Sequence, residues 1–172
     1  MDCPDYVSPK ICLTPYEEGI TSLEIESRIL DEDTDDYITI GEGSGYIFEN
    51  PFDDEILDDL LDTVCGDTYA LYRVLTSTEE GRDVLESAVT IVYIHTFMLK
   101  EEFRRKGIGL KTMKFVVDQF TSGLNLILLH PAPLGMHVGE EGRDIAIKKL
   151  EDHWSKIGFK RLGSSDVYYI PF

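Results

Sequence analysis

Cysteine is scarce in this chain: Cys3, Cys12 and Cys65 are the only three in 172 residues. An odd count without C-x-x-C spacing supports neither a disulfide framework nor a zinc site. Long apolar runs are missing as well. Stretches such as Leu126–Leu129 fall far short of the ~18 residues of a membrane-spanning helix. The opening Met1-Asp2-Cys3-Pro4-Asp5 is acidic, where a secretory leader starts basic and turns apolar. These absences predict a soluble, cytoplasmic protein with no membrane partner. Positive charge is short as well. The chain holds 33 Asp+Glu against 16 Lys+Arg, a net charge of −17. Residues 1–65 carry 19 acids and only two bases, Lys10 and Arg28, whereas residues 66–172 carry 14 of each. The first third therefore holds the whole imbalance. With no general basic surface to neutralise phosphates, nucleic acid is excluded as a partner. No basic stretch suits anionic lipid either.

What is present is enough for a core. Hydrophobic residues make up 42% of the chain, and its length predicts one domain over residues 1–172. Ser22–Leu30 alternates Leu23, Ile25, Ser27 and Ile29 with charged neighbours, the pattern of a half-buried strand. An acidic turn, Asp31–Asp36, follows. Tyr37–Ile40 and Tyr46–Phe48, separated by Gly41, Gly43 and Gly45, predict a hairpin or a bulged strand. Asn50-Pro51 opens a helix with Asp53, Asp54 and Glu55 in its first turn, where the helix dipole favours acids. Its apolar face is Ile56, Leu57, Leu60, Leu61 and Val64, and Gly66 closes it. Thr68–Leu75 reads as a strand, and Thr78–Ala88 as a loop or short helix. Val89–Lys100, β-branched and aromatic, is the clearest strand. A helical pattern runs through Met113, Val116, Val117 and Phe120 to Gly123. Leu124–His130, stopped by Pro131, suits a central strand, and Gly139–Gly142 a loop. Ile145 to Trp154 is helical and ends at Gly158, before a final hairpin of Phe159–Leu162 and Asp166–Ile170. This mixture predicts an α/β or α+β fold.

The chemistry is concentrated in Thr96–Lys111. A strand feeds a charged link, Glu101–Lys106, then Gly107-Ile108-Gly109 and a helix. Backbone N–H groups at such a helix start lack partners, and the dipole there favours an anion. Gly107 and Gly109 let phosphate oxygens reach the backbone. Arg104, Arg105, Lys106 and Lys111 add positive charge at the same place. The P-loop pattern is absent, and a dinucleotide fingerprint would need a third glycine where Thr112 stands. What remains is R-x-x-G-x-G.

In this context the segment resembles the coenzyme A loop of the GNAT superfamily of acetyltransferases. A second segment, Trp154-Ser155-Lys156-Ile157-Gly158-Phe159-Lys160, is similar to that family's aromatic-x-x-[LI]-G-F stretch. The resemblance covers about residues 89–172. It implies a GNAT fold: a central, mixed, mostly antiparallel sheet with helices on both faces and a splayed pair of parallel strands. Residues 89–172 would form the acetyl-CoA-binding core and residues 1–88 the variable acceptor side. The implied activity is an acetyl-CoA-dependent N-acetyltransferase, with a primary amine attacking the thioester directly in a ternary complex. Cofactor contacts would come from Arg104, Arg105, Lys106, Gly107, Ile108, Gly109, Leu110 and Lys111. Backbone N–H groups at Met98 and Leu99, where the strand diverges from its neighbour, would serve the developing oxyanion. Two positions depart from the family pattern. Glu101 stands where many members have proline, and Trp154 stands where many carry the tyrosine that protonates the departing thiolate. An indole N–H has no useful acidity, so Trp154 reads as core or as a surface packed on the cofactor.

Tyr93-Ile94-His95 through Phe103-Arg104 is similar to the corresponding stretch of serotonin N-acetyltransferases, where a histidine at this offset belongs to the proton pathway. His95 is therefore the candidate base. Tyr93, two residues earlier, shares its strand face. The plain alternatives are a hydrogen-bonded core histidine and ordinary aromatic packing. Tyr168 and Tyr169 are reserve candidates for the general acid. His130 reads as a strand end, His137 as loop and His153 as helix face. None of the histidines has metal-ligand spacing, so no metal is expected. The acceptor side carries the acidic excess, which favours a cationic amine, in a monomer or homodimer. Two rivals stay open: a catalytically silent acyl-CoA-binding module of the same fold, and an acidic interaction protein docking a basic partner.

Overall fold

Alternating side chains and turn residues first build three long antiparallel strands: β1 (Val7–Glu17), β2 (Ile20–Asp31) and β3 (Asp36–Glu49). The computed structural model describes residues 7–49, 54–130 and 140–170. The expectations attached to Cys3, Asn50-Pro51, Asp53, Pro131, His137 and Gly139 lie outside the described residues. On β2, Leu23, Ile25 and Ser27 are buried while Glu24 is exposed, as the alternation requires. The acidic turn after it is tied by the Asp33 N–H donating to Asp31 Oδ1 at 3.0 Å. β3 is one irregular strand, not a hairpin; its register with β2 shifts between Ser27 and Arg28. β1 carries no strand signal in sequence because Pro9 and Pro15 interrupt it. At the outer edge of the sheet a proline's missing N–H costs no ladder bond.

Three helices follow: α1 (Asp54–Val64), α2 (Gly66–Ser77) and α3 (Glu79–Glu86). α2 corrects the strand expected over Thr68–Leu75. Its buried residues are Thr68, Leu71 and Leu75, spaced three and four apart, so the helical period prevails over the β-branched and aromatic composition. Gly66 opens this helix in addition to following α1. Thr78 caps α3 by accepting from the Gly81 N–H at 3.0 Å, which resolves the open reading of that segment in favour of helix.

The second half runs β4 (Thr90–Leu99), α4 (Ile108–Phe120), β5 (Asn125–Leu129), α5 (Glu140–Trp154), β6 (Lys160–Arg161) and β7 (Tyr168–Ile170). The loop expected to reach Gly142 gives way to helix from Glu140; a first-turn glycine costs only about 1 kcal/mol relative to alanine. The sheet is seven-stranded, in the order β1-β2-β3-β4-β5-β7-β6. β4 and β5 pair in parallel, while the other neighbours pair antiparallel. Ile91, Tyr93, Leu126 and Leu128 pack with Leu57, Leu61, Leu71 and Leu75 from α1 and α2 on one face. Val92, Ile94, Ile127 and Leu129 pack with Met113, Val116 and Val117 of α4 on the other. The mixed, mostly antiparallel sheet with helices on both faces is thus the architecture expected from sequence. No helix among the described residues is long and apolar enough to cross a membrane.

Candidate functional site

β4 organises the site because its two edges end differently. It pairs with β5 from Thr90↔Asn125 to Ile94↔Leu129, where β5 stops. Along β3 the pairing continues to Gly41↔Leu99. Among the described residues, β4 from His95 onward is paired on one edge and unpaired on the other. Met98 and Leu99, where the oxyanion donors are expected, lie on β4 beyond the end of the pairing with β5.

The free segment starts at a bulge. Gly45 pairs with Ile94 and Ser44 with Thr96, so His95 has no partner on β3. An extra residue reverses the inward–outward alternation beyond it. Before the bulge Tyr93 belongs to the α1–α3 face. After it, Phe97 and Leu99 belong to the α4 side, and Thr96 bonds the Ser44 hydroxyl at 2.9 Å. β3 can lie against this distorted strand because it presents glycines. A Cβ on Gly43 would sit 2.5 Å from the Thr96 carbonyl oxygen. His95 stays with Tyr93, their rings T-shaped at 5.8 Å between centroids, as the shared strand face predicted.

Beyond β4 the chain makes a 3₁₀ turn over Glu101–Phe103 and reaches α4. The Lys100 N–H donates to the Ile40 carbonyl at 2.8 Å, and Arg104 Nε donates to the Leu99 carbonyl at 2.9 Å. Lys106 Nζ lies 5.4 Å from the Phe103 ring centroid. Arg105 (φ 62°) and Gly107 (φ 77°) both adopt left-handed backbone, a conformation that costs a side-chain-bearing residue about 1–2 kcal/mol. The first turn of α4 is bonded only from Lys111, whose N–H donates to the Gly107 carbonyl at 3.1 Å. The amides of Ile108, Gly109 and Leu110 precede it and have no acceptor within the helix. Ile108 itself is fully buried with Val7 and Ile40, so only its backbone can serve a ligand. A Cβ on Gly109 would meet Leu99 and Phe97 side chains at 3.7 and 3.8 Å. That is ordinary contact, so packing does not demand glycine there.

On the opposite face stands a group that sequence spacing did not reveal. His95 Nδ1 lies 3.9 Å from Asp67 Oδ2, and Cys65 Sγ completes a trio whose ligand atoms lie within 4.8 Å of one another. Cys65 and Asp67 flank the start of α2, where the composition of Thr68–Leu75 favours strand and so hides the pair from the sequence. The helical spacing of Thr68, Leu71 and Leu75 is the signal that points to this helix start. Burial pushes the Tyr93 phenol well above its ordinary range, reinforced by the charges of Asp67 and Cys65.

Other candidates fall elsewhere. Tyr168 is 2% exposed; its hydroxyl is buried without a partner at hydrogen-bond geometry. Burial first, then the Glu151 charge, raises its pKa. It pairs with Leu129 at the end of β5, at the level where the β4–β5 pairing ends. Tyr169 donates to Glu80 Oε1 at 2.9 Å, a link between β7 and α3. Trp154 packs on the α4-side core, the plainer of its two readings. His130 is exposed, and His153 stacks edge-on against Trp154 at 4.9 Å.

No family model and no curated protein matches the chain. Among solved structures, the chain is similar to the crystal structure of Arabidopsis thaliana NAA60 in complex with a bisubstrate analogue. That likeness is at 16% identity over 88% of this chain and 85% of that chain, with a TM-score of 0.39.

Proposed function

We propose that this protein is an acetyl-CoA-dependent N-acetyltransferase of the GNAT kind. One observation carries the reading: β4 outruns β5 beyond Ile94↔Leu129, and its free edge leads directly to the unpaired amides that open α4. A narrow opening in a sheet and an anion-binding helix start are thereby contiguous. That suits a ligand with a thin uncharged arm and a pyrophosphate. Arg104, Arg105, Lys106 and Lys111 supply the cationic surround. The arm occupies the gap between β4 and β5, with the thioester near His95–Leu99. There, backbone N–H groups on the free edge of β4 are placed to stabilise the oxyanion. The amine arrives from the α1–α2 side, where His95 takes the proton it must lose. Tyr168, kept protonated, is the donor for the departing thiolate in place of the tyrosine absent at Trp154.

The acceptor is a cationic amine. On the sheet face that holds His95, the register aligns Glu24 with Ser44 and Glu42 with Met98. Tyr16 stacks edge-on against Tyr46 at 6.1 Å. Carboxylates and aromatic faces together recognise cations.

Thermal unfolding with acetyl-CoA, CoA, ATP and NAD tests the reading. At one hundred times its dissociation constant, a native-state ligand adds about 2.7 kcal/mol. Acetyl-CoA and CoA should raise the midpoint, NAD should not, and a flat response to acetyl-CoA would overturn the assignment. The core position of Trp154 favours a second reading, a silent acyl-CoA-binding module. It predicts the same stabilisation with no acetylated product across a panel of amines.

A further inference from the structure

We propose that Cys65, Asp67 and His95 form a binding site for a borderline-soft divalent cation of the zinc class, seated so that it blocks the His95 proton acceptor. The three side chains supply a thiol, a carboxylate and an imidazole, all within 4.8 Å of one another. Donors around tetrahedral zinc stand about 3.5 Å apart, as its bond lengths require. The His95 Nδ1 to Asp67 Oδ2 separation of 3.9 Å is close to that and too long for a hydrogen bond. Independently of this spacing, His95 Nδ1 is buried and has no hydrogen-bond partner among the described residues. A buried nitrogen left in that state costs free energy that a metal bond would recover. The Asp67 side chain is 65% exposed and free to swing the remaining distance. Cys65 is held from behind, its N–H donating to Thr68 Oγ1 at 3.3 Å.

The donor set selects the ion class. Thiolate with imidazole favours zinc and its neighbours over magnesium or calcium, which prefer oxygen alone. On binding, the Cys65 S–H bond breaks, a sulfur–metal bond forms and the proton passes to solvent, with no change of oxidation state. Three protein donors leave a fourth position for water. With Nδ1 bound to the metal, the ring's remaining proton sits on Nε2, so no imidazole lone pair is left to accept the amine proton. The blocking role rests on the acetyltransferase reading, whereas the binding site does not.

Titration of the metal-free protein with Co²⁺ alone reads the site directly. One equivalent should produce a thiolate-to-cobalt charge-transfer band that Zn²⁺ bleaches. Cys65→Ser should abolish the band, and Asp67→Asn should weaken binding by tenfold or more. Serine is a preferred helix N-cap residue, so Cys65→Ser retains the fold, checked by an unchanged unfolding midpoint. Cys12→Ser should keep the band. No band, or a band that survives Cys65→Ser, would overturn the site. In a second arm, Zn²⁺ should suppress acetyl transfer by the wild type and leave Cys65→Ser tenfold less sensitive. Equal sensitivity would overturn the blocking role while leaving the cobalt result intact.

Discussion

Gly109 separates what the fold needs from what a ligand needs. A Cβ there meets Leu99 and Phe97 at ordinary contact distance, so Gly109→Val should leave the unfolding free energy within about 1 kcal/mol, the span of helix propensities. Its methyl groups would stand over the free amides of α4, and acetyl-CoA affinity should fall at least tenfold by calorimetry. Unchanged affinity would dissociate the loop from the cofactor. Gly107 is different, because its φ of 77° makes glycine a backbone requirement. Both glycines, and the basic residues before them, were legible in sequence because backbone access and charge depend on residue type alone. His95 was legible too, although its bulge was not, since a skipped pairing needs the partner strand to define it.

Elements are joined by a few specific polar ties. Ser27 on β2 and Thr112 on α4 are each fully buried, and their hydroxyls bond at 2.9 Å. Thr112→Val keeps the shape but strands the Ser27 hydroxyl, at a cost of about 1–3 kcal/mol. Adding Ser27→Ala to Thr112→Val should recover most of that loss, giving a favourable coupling in a double-mutant denaturation cycle. Additive effects would mean that the bond contributes nothing. This tie fastens α4 to the acidic half of the sheet. Sequence could place Ser27 on the inward face of a strand and could not identify Thr112 as its partner 85 positions away.

At the scale of the whole molecule, several tyrosines set an alkaline limit. Burial raises the pKa of Tyr93, Tyr168 and Tyr169 above their ordinary value of 10.0. Their neutral forms are favoured in the folded state. The stabilisation is therefore complete below pH 10 and is lost as pH climbs through the raised folded-state values. Unfolding free energy should decline above pH 10 by up to about 1.4 kcal/mol per pH unit for each such group. Tyr93→Phe should make the decline shallower. An identical slope in that variant would remove Tyr93 from the account. The acidic excess bears on the same scale. Its residues lie along β2, β3 and α1, whereas the basic residues cluster between β4 and the first turn of α4.

By itself the sequence determined the strong periodic elements, the acid–base division between its parts, and the glycine-bearing basic turn before α4. Those depend on residue type and short-range spacing, which the chain carries locally. The tertiary structure alone decided that Thr68–Leu75 is helical, that the β4–β5 pairing ends at Ile94, and that Cys65 and Asp67 meet His95. The reason is physical in each case. Helix and strand propensities at Thr68–Leu75 differ by less than the packing of Leu71 and Leu75 contributes. The point where a strand pairing ends is a property of two segments at once. Convergent donors from α2 and β4 exist only after the hydrophobic core has folded one onto the other.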